Sequence, residues 1–508
     1  MNEFHLDEIV FNENIISYRY RVQGEWKKYF RVEDNWRDAS KVWNNSHPEF
    51  EWLYCEYDCN MEEIPYSVAV IPLLATILPL TWLFDGKIFV EQIDFHFFYA
   101  IDNIRRGFFN FTKDWRFNRP QHLVNSGGGI IHGLVIRNDI ALENSSPLVL
   151  FSGGLDSWDA MCDSYKMKPI LVPVWGADIN SNNSSGWSVV REECYDVGTK
   201  HDIYVSPIRS NFRAVLNTHN IGKSLRSRLS NFRDYWTTIM HGLALVGLCA
   251  PLAYAKKSPS VFISSTARLD YVVNSHYGSN PFIDESVKFF GVSVSHKSIA
   301  KNRNDKVRNV VLFKRNISNY PTLFVRACFA NSKGVNCCIC EKCLRTWMAF
   351  LIEQENPSEY GFYLTAENVA IVLKHLIAKK YKFSSWAWRE TLEIVNRNYD
   401  LLVQYLNKTE DFANLRESLC QILQVLFNLK IEVDEIGTVQ LAAKRFKRII
   451  TKLDRLEKPN SIITENKKLR HSIDRLRKKL KKSESELASL KGSFSYRILS
   501  KIKKGMPK

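Results

Sequence analysis

Hydrophobic positions along the chain change period several times, and each change predicts a different element. Ile15-Ile16-Ser17-Tyr18-Arg19-Tyr20-Arg21-Val22 alternates, as does Lys28-Tyr29-Phe30-Arg31-Val32. With Gly24 between them, the two runs predict a β-hairpin. Residues 65–84 carry no charge and are long enough to cross a bilayer. Pro72 and Pro79 interrupt them, Asp85 follows and neither flank is basic, which favours a buried core helix or strand pair. Lys87-Ile88-Phe89-Val90-Glu91 follows, so residues 1–145 read as a mixed α/β domain ending near the flexible joint Ser126–Gly129.

From Pro147 short apolar runs alternate with helical stretches. Leu148–Phe151, Pro169–Trp175, Asp202–Pro207 and Ser260–Ser264 are the expected strands, with the apolar helix Tyr235–Tyr254 before the fourth. Buried strands joined by helical crossovers predict an α/β fold with a doubly wound parallel sheet, in a domain spanning 146–355. Ligands bind at the carboxyl ends of such strands. Residues 356–440 read as a helical domain, with apolar positions Val369, Ile371, Val372, Leu376, Leu415, Leu419, Ile422, Leu423 and Leu426. In 441–508, Ile462, Leu469, Leu476 and Leu490 share one heptad position and Ile473, Leu480 and Leu487 the other. With Asn466 a heptad before Ile473, this predicts a short coiled coil.

Charge sharpens the division. The chain has 508 residues and a formal net charge of +16. Residues 441–508 hold 22 Lys+Arg and 6 Asp+Glu, so the whole excess lies in that tail and the preceding residues are balanced. With 45% hydrophobic and 13% aromatic residues, disordered and collagen-like classes are excluded. The N-terminal residues lack the pattern of a secretory leader. Five of the eleven cysteines fall between Cys328 and Cys343, which points to metal in a reducing, cytoplasmic setting rather than a disulfide framework.

The sharpest motif is Ser152-Gly153-Gly154-Leu155-Asp156-Ser157, directly after the first expected strand and at a helix start. The glycines let backbone approach a phosphate, and the helix amino terminus offers unpaired N–H groups. Ser152 and Ser157 add hydroxyls; Asp156 either caps the turn or holds Mg²⁺ beside phosphate oxygens. A plain strand-to-helix turn is the competing reading. The motif resembles the PP-loop of the N-type ATP pyrophosphatases, which have a HUP-like, adenine nucleotide α-hydrolase-like fold. That resemblance implies that Ser152–Ser157 grip the pyrophosphate of ATP, with Asp156 and Ser157 as catalytic residues, while a substrate oxygen attacks the α-phosphate.

Cys328, Cys337, Cys340 and Cys343 stand at the spacing C-x8-C-x2-C-x2-C. Four thiolates so placed can close on a tetrahedral zinc ion with sulfur about 2.3 Å away. Cys338 is a fifth candidate, but substituting it for Cys337 leaves one residue before Cys340 and strains the knuckle. A group of buried thiols or a redox pair is the competing reading. Loop and cysteines in this order resemble the 7-cyano-7-deazaguanine synthase family over roughly residues 146–350. The resemblance implies a zinc-containing, ATP- and Mg²⁺-dependent carbon–nitrogen ligase that adenylates a carboxylate or amide oxygen of a small acceptor, releases pyrophosphate and installs nitrogen from a nitrogen donor.

The sequence departs from that family after the fourth strand. Ser264–Tyr271 and His276–Glu285 do not match the segment that recognises the deazaguanine, so the acceptor is expected to differ. Arg268, Asp270, His276 and Asp284 are candidates to line its pocket, and structural roles for them weigh equally. Arg345 is a weaker match to a basic residue of the family, against a surface charge or thiolate counter-ion. Lys306 and Arg308 could face phosphates, but a solvated helix face is the favoured reading. For the tail three readings stand side by side: a coiled-coil homodimer stem, peripheral contact with an anionic inner membrane face, and nucleic-acid binding, the last disfavoured by sparse aromatics. A second expectation for the whole chain is a nucleotide-binding scaffold or modifying subunit in a defence or surface-glycan assembly, not making 7-cyano-7-deazaguanine.

Overall fold

The computed structural model describes residues 2–30, 53–110, 131–226, 232–266, 268–272, 277–328, 334–378, 380–381, 386–429 and 485. The expected coiled coil, the joint at 126–129 and His276 lie outside the described residues. Among the described residues, contacts divide the chain into two units, Met1–Leu364 and Thr365–Lys508.

The first unit is an α/β structure with two sheets. Strands β1 (Glu3–Asn12) and β2 (Ile15–Gln23) form an antiparallel hairpin turning at Glu13-Asn14, with Glu13 at φ 50°. The hairpin expected from Ile15–Val22 is therefore present, but its partner is the preceding strand. Residues Gly24–Tyr29 instead make a 3₁₀ turn, entered at Gly24 with φ 72°. That turn puts Trp26 and Tyr29, three apart, on one buried side, the spacing at which 3₁₀ side chains eclipse.

Next come β3 (Leu53–Glu56), helix α1 (Ile71–Phe84), β4 (Lys87–Asp94), α2 (Phe95–Asn110) and β5 (Ile131–Ile136). The uncharged stretch is thus mainly a helix, and all 14 residues of α1 are buried in the protein. It packs on α5 (His241–Ala255), where a Cβ on Gly247 would lie 2.3 Å from that of Ala75. Residues Trp236–Ala255 are long and apolar enough to cross a membrane, but 78% of that window is buried inside the protein.

The second sheet follows the expected alternation. Strand β6 (Leu148–Leu150) leads into α3 (Leu155–Ser164), then β7 (Ile170–Val172), β8 (Val174–Trp175), α4 (Ser184–His201) and β9 (Ile208–Ser210). After α5 come β10 (Ser260–Ser264), β11 (Lys288–Phe289), β12 (Val292–Lys297), α6 (Arg303–Asn316) and α7 (Glu341–Ile352). The sheet order is β11-β12-β10-β6-β7, parallel except for β11. A parallel bridge from Leu171 to Val205 adds the next position beyond β7. The expected strand over 202–207 is reduced to that bridge. The expected strand 169–175 is split at Pro173, whose missing N–H ends the ladder: β7 stays with β6, while β8 pairs with β9.

That split joins the two stretches expected as separate domains. The other sheet runs β5-β4-β1-β2-β3-β9-β8, so strands from before residue 145 and from 174–210 share one ladder, and one hydrophobic cluster runs from Phe4 to Val294. In the second unit, Thr365 and Asn368 form a capping box that starts the helix Ala366–Ile377. Trp386–Arg397, Tyr399–Lys408 and 416–429 follow, burying Val369, Val372, Leu376, Leu419, Ile422, Leu423 and Leu426.

Candidate active site

The loop after β6 is built by its own hydroxyls. Gly153 takes φ 70°, a left-handed conformation that glycine adopts without a Cβ penalty, and a Cβ there would meet nothing within 4 Å. Gly154 precedes the first turn of α3 in extended conformation. Ser157 Oγ donates to the Gly154 carbonyl at 2.8 Å and accepts from the Ser152 amide at 3.3 Å, while Ser152 Oγ accepts from the Gly154 amide at 3.4 Å. Both hydroxyls therefore serve the loop. Leu155 is buried in the core at 3% exposure and anchors the loop by packing.

The segment 324–326 runs alongside. The Arg326 amide donates to the Gly153 carbonyl at 2.7 Å, its Nε to the Ser152 carbonyl at 3.2 Å, and Trp158 Nε1 donates to the Phe324 carbonyl at 2.9 Å. A cation is thus fixed to the loop by both its backbone and its side chain.

Helix α6 supplies a second. Asp156, Asp159 and Asp163 lie along one face of α3, and Lys306 and Asn309 along the facing side of α6. Fully buried Asp159 accepts from Lys301 at 2.8 Å, Asn309 at 2.7 Å and Ser298, which clamps the helices together. In that clamp Lys306 Nζ reaches Asp156 Oδ1 at 2.7 Å and also donates to the Ser265 carbonyl. Lys306 is 1% exposed; the solvated helix face expected for it is overturned, because the Asp159 clamp turns this side of α6 inward. Arg308 does point to solvent and pairs with Glu353 at 3.0 Å. Burial opposes ionisation of Asp156, yet Lys306, Arg303 and Lys342 outweigh it and hold the carboxyl below its ordinary range. Lys306, Arg303, Lys342 and Arg326 therefore surround the loop from three chain segments.

The four cysteines meet at the amino end of α7. All four sulfurs lie within 4.8 Å of one another, with Cys337–Cys343 at 3.9 Å and Cys328–Cys340 at 4.0 Å. Thiolates at the corners of a zinc tetrahedron stand about 3.8 Å apart, so this set could hold a metal such as zinc. The Cys340 amide donates to Cys337 Sγ at 3.3 Å and the Cys343 amide to Cys340 Sγ at 3.5 Å, which orients the sulfurs. Asn336 ties the two arms: its Oδ1 accepts from the amides of Ala327 and Cys328, and its Nδ2 donates to the carbonyls of Val325 and Gly361. Cys338, at φ 58°, lies outside the set with its sulfur toward the Asn336 carbonyl. Burial pushes its thiol up to about 12.

The cluster adjoins the loop through the chain. Arg326 precedes Cys328 by two residues, and Lys342 precedes Cys343 by one. Arg345 is mostly buried and pairs with Glu341 at 3.5 Å.

Of the acceptor-pocket candidates, Asp284 is fully buried, accepting from Ser279 Oγ at 2.8 Å and facing His296 Nδ1 at 2.9 Å. Gly242 packs against it, and a Cβ there would lie 2.0 Å from its oxygen. Arg268 lies in the connection after β10, partly exposed; the Asp270 side chain lies outside the described residues. Residues that spacing did not reveal are Asp178, Arg213, Trp236, His241 and Tyr277. His241 packs edge-on against Trp236 at 4.6 Å and lies 5.8 Å from the Tyr277 ring, and Arg213 lies over Trp236 at 4.1 Å. A π-helical turn, Trp236–Met240, immediately precedes His241; such turns recur at functional sites, and nothing in the apolar run 235–254 signals it. No protein-family model, curated protein or solved structure matches the chain.

Proposed function

We propose that this chain is a zinc-containing, ATP-dependent adenylating enzyme that activates a carboxylate or amide oxygen of a small acceptor, releases pyrophosphate and installs nitrogen. The observation that carries this reading is the convergence of Arg303, Lys306, Arg326 and Lys342 on the glycine loop. So many cations beside an open backbone, with few carboxylates to answer them, suit a polyphosphate. The strand order β12-β10-β6-β7, continued by the bridge to Val205, supports an adenine nucleotide α-hydrolase-like fold with the loop on its central strand.

The chain's own residues divide the work. Arg326 and the loop amides hold phosphate oxygens, and the buried ammonium of Lys306 stabilises charge on the departing pyrophosphate. Asp156 keeps Lys306 oriented. Its Oδ2 accepts no hydrogen bond among the described residues and suits Mg²⁺, a hard cation that takes oxygen ligands and neutralises phosphate charge when bound. Zinc at Cys328, Cys337, Cys340 and Cys343 is structural: all four positions are sulfur, leaving none for substrate, and it fixes the chain just after Arg326 and on both sides of Lys342.

Incubation with ATP, Mg²⁺, ammonia and a panel of carboxylic acids and amides tests the reading. Acceptor-dependent pyrophosphate release that Asp156→Ala abolishes supports it; equal release by the variant sinks the site assignment. Tight ATP binding without release from any acceptor supports a nucleotide-binding scaffold instead.

A further inference from the structure

The chain from Leu323 to Cys328 runs as a strap with a different partner on each edge. Phe324 and Arg326 face the glycine loop: the Phe324 carbonyl accepts from Trp158 Nε1 at 2.9 Å, and the Arg326 amide donates to the Gly153 carbonyl at 2.7 Å. Leu323, Val325 and Ala327 face the other way. The amides of Leu323 and Val325 donate to the carbonyls of Glu359 at 2.8 Å and Tyr360 at 3.2 Å, and past them one side chain, Asn336, takes over.

Asn336 makes every bond open to a side-chain amide, two donated and two accepted. Its Oδ1 accepts from the amides of Ala327 at 2.8 Å and Cys328 at 3.1 Å, and its Nδ2 donates to the carbonyls of Val325 at 2.9 Å and Gly361 at 3.0 Å. It thus grips the residues on both sides of Arg326, whose own amide and Nε turn the opposite way, to Gly153 and to the Ser152 carbonyl at 3.2 Å. A carboxylate has no donor for the two carbonyls, and one hydroxyl cannot serve all four groups.

The strap and the sulfur set share this residue. Asn336 immediately precedes Cys337, and the Cys328 amide that it holds belongs to the other end of the set. A metal among these sulfurs therefore fixes the main chain from which Asn336 projects. Support runs from the cysteines through Asn336 and the strap to Arg326 and the glycine loop, each joined to the next by a covalent or a hydrogen bond.

Resting on the nucleotide reading above, we infer that Asn336 is a positioning residue: it holds Arg326 against Ser152 and Gly153, and so sets the affinity of the loop for the polyphosphate of a nucleotide that it does not itself touch. A residue that orients a binding group from behind acts through that group.

Two measurements on the full-length, zinc-loaded protein test this, and the first needs no nucleotide. Residue-resolved hydrogen exchange of Asn336→Ala is expected to show faster exchange at the Arg326 amide, which bonds to Gly153 and not to Asn336. An Arg326 amide as protected as in the wild type overturns the assignment. The second is titration of ATP with Mg²⁺ into wild type, Asn336→Ala, Arg326→Ala and the double variant. Asn336→Ala alone is expected to weaken binding about 2–30-fold, and to have no further effect once Arg326 is replaced. Losses that add in the double variant, which a merely structural role would give, overturn the proposal. Metal analysis should return one zinc per chain throughout. Where Asn336→Ala loses zinc or the wild-type circular dichroism, Asn336→Asp takes its place: it keeps the shape and the two bonds accepted by Oδ1, loses those to Val325 and Gly361, and is judged by the same outcomes. ATP binding that is indifferent to Asn336 sinks this proposal alone; a wild type that binds no ATP sinks the nucleotide reading and the effect on affinity with it.

Discussion

Lys306 Nζ lies 2.7 Å from Oδ1 of Asp156, and the lysine side chain is 2% exposed against 19% for the aspartate. Breaking a buried ion pair by removing one partner is costly, about 3–5 kcal/mol, whereas replacing both partners by neutral groups is close to neutral. Lys306→Met is therefore expected to destabilise the chain by about that amount, and Lys306→Met combined with Asp156→Asn to recover most of it. Urea denaturation of the four proteins of this cycle measures the coupling. Additive single effects would mean that the pair does not act as a unit. Arg308→Ala, on the exposed side of the same helix, should change stability by less than about 0.5 kcal/mol.

The same pair sets a pH dependence. The folded carboxyl of Asp156 titrates below its ordinary 3.8, so its ionised form is favoured by folding. Its contribution is present above the unfolded value and lost as pH falls through the folded one. The stability difference between wild type and Asp156→Asn should accordingly be constant from about pH 5 to 8 and shrink below about pH 4. A difference that shrinks instead on the alkaline side would contradict the assigned direction.

Metal at the cysteines should be linked to the nucleotide site. One zinc per chain is expected by metal analysis, lost in Cys343→Ser. Because Arg326 and Lys342 sit beside cysteine ligands, metal-free protein should bind ATP about 5–150-fold more weakly, and ATP should tighten zinc by the same factor. Identical ATP affinity with and without metal would separate the two sites.

Gly153→Ala tests the loop itself. At φ 70° with open space around a new Cβ, the change costs backbone strain of about 1–2 kcal/mol and no clash. Thermal unfolding should show that modest loss, accompanied by weaker ATP binding as the methyl enters the space where phosphate is expected. Unaltered ATP affinity would place the phosphates elsewhere.

Local chemistry made the loop and the cysteines legible: each is a short motif whose residue types limit what it can build. Strand Ser260–Ser264 emerged with its ends unchanged because its apolar run is bounded by polar residues. The role of Lys306 was not legible. Its sequence surroundings, Asn304-Asp305-Lys306-Val307-Arg308, read as a surface, and only the clamp of Ser298, Lys301 and Asn309 on Asp159 turns it inward. The hairpin partner was missed because Glu3–Asn12 contains a register shift between Leu6 and Glu8 that breaks strict alternation. Arg213 and His241 meet at the Trp236 ring beside a π-turn and a strand that changes sheets, features that no period in the sequence records.

The most direct test of the account is equilibrium titration of ATP with Mg²⁺ into wild type and into the Lys306→Met/Asp156→Asn double variant, which retains its fold on the reasoning above. The account predicts saturable one-to-one binding by the wild type and, with a buried phosphate-facing charge removed, at least about tenfold weaker binding by the variant. Equal affinity in the two proteins, or no binding by the wild type, would contradict it.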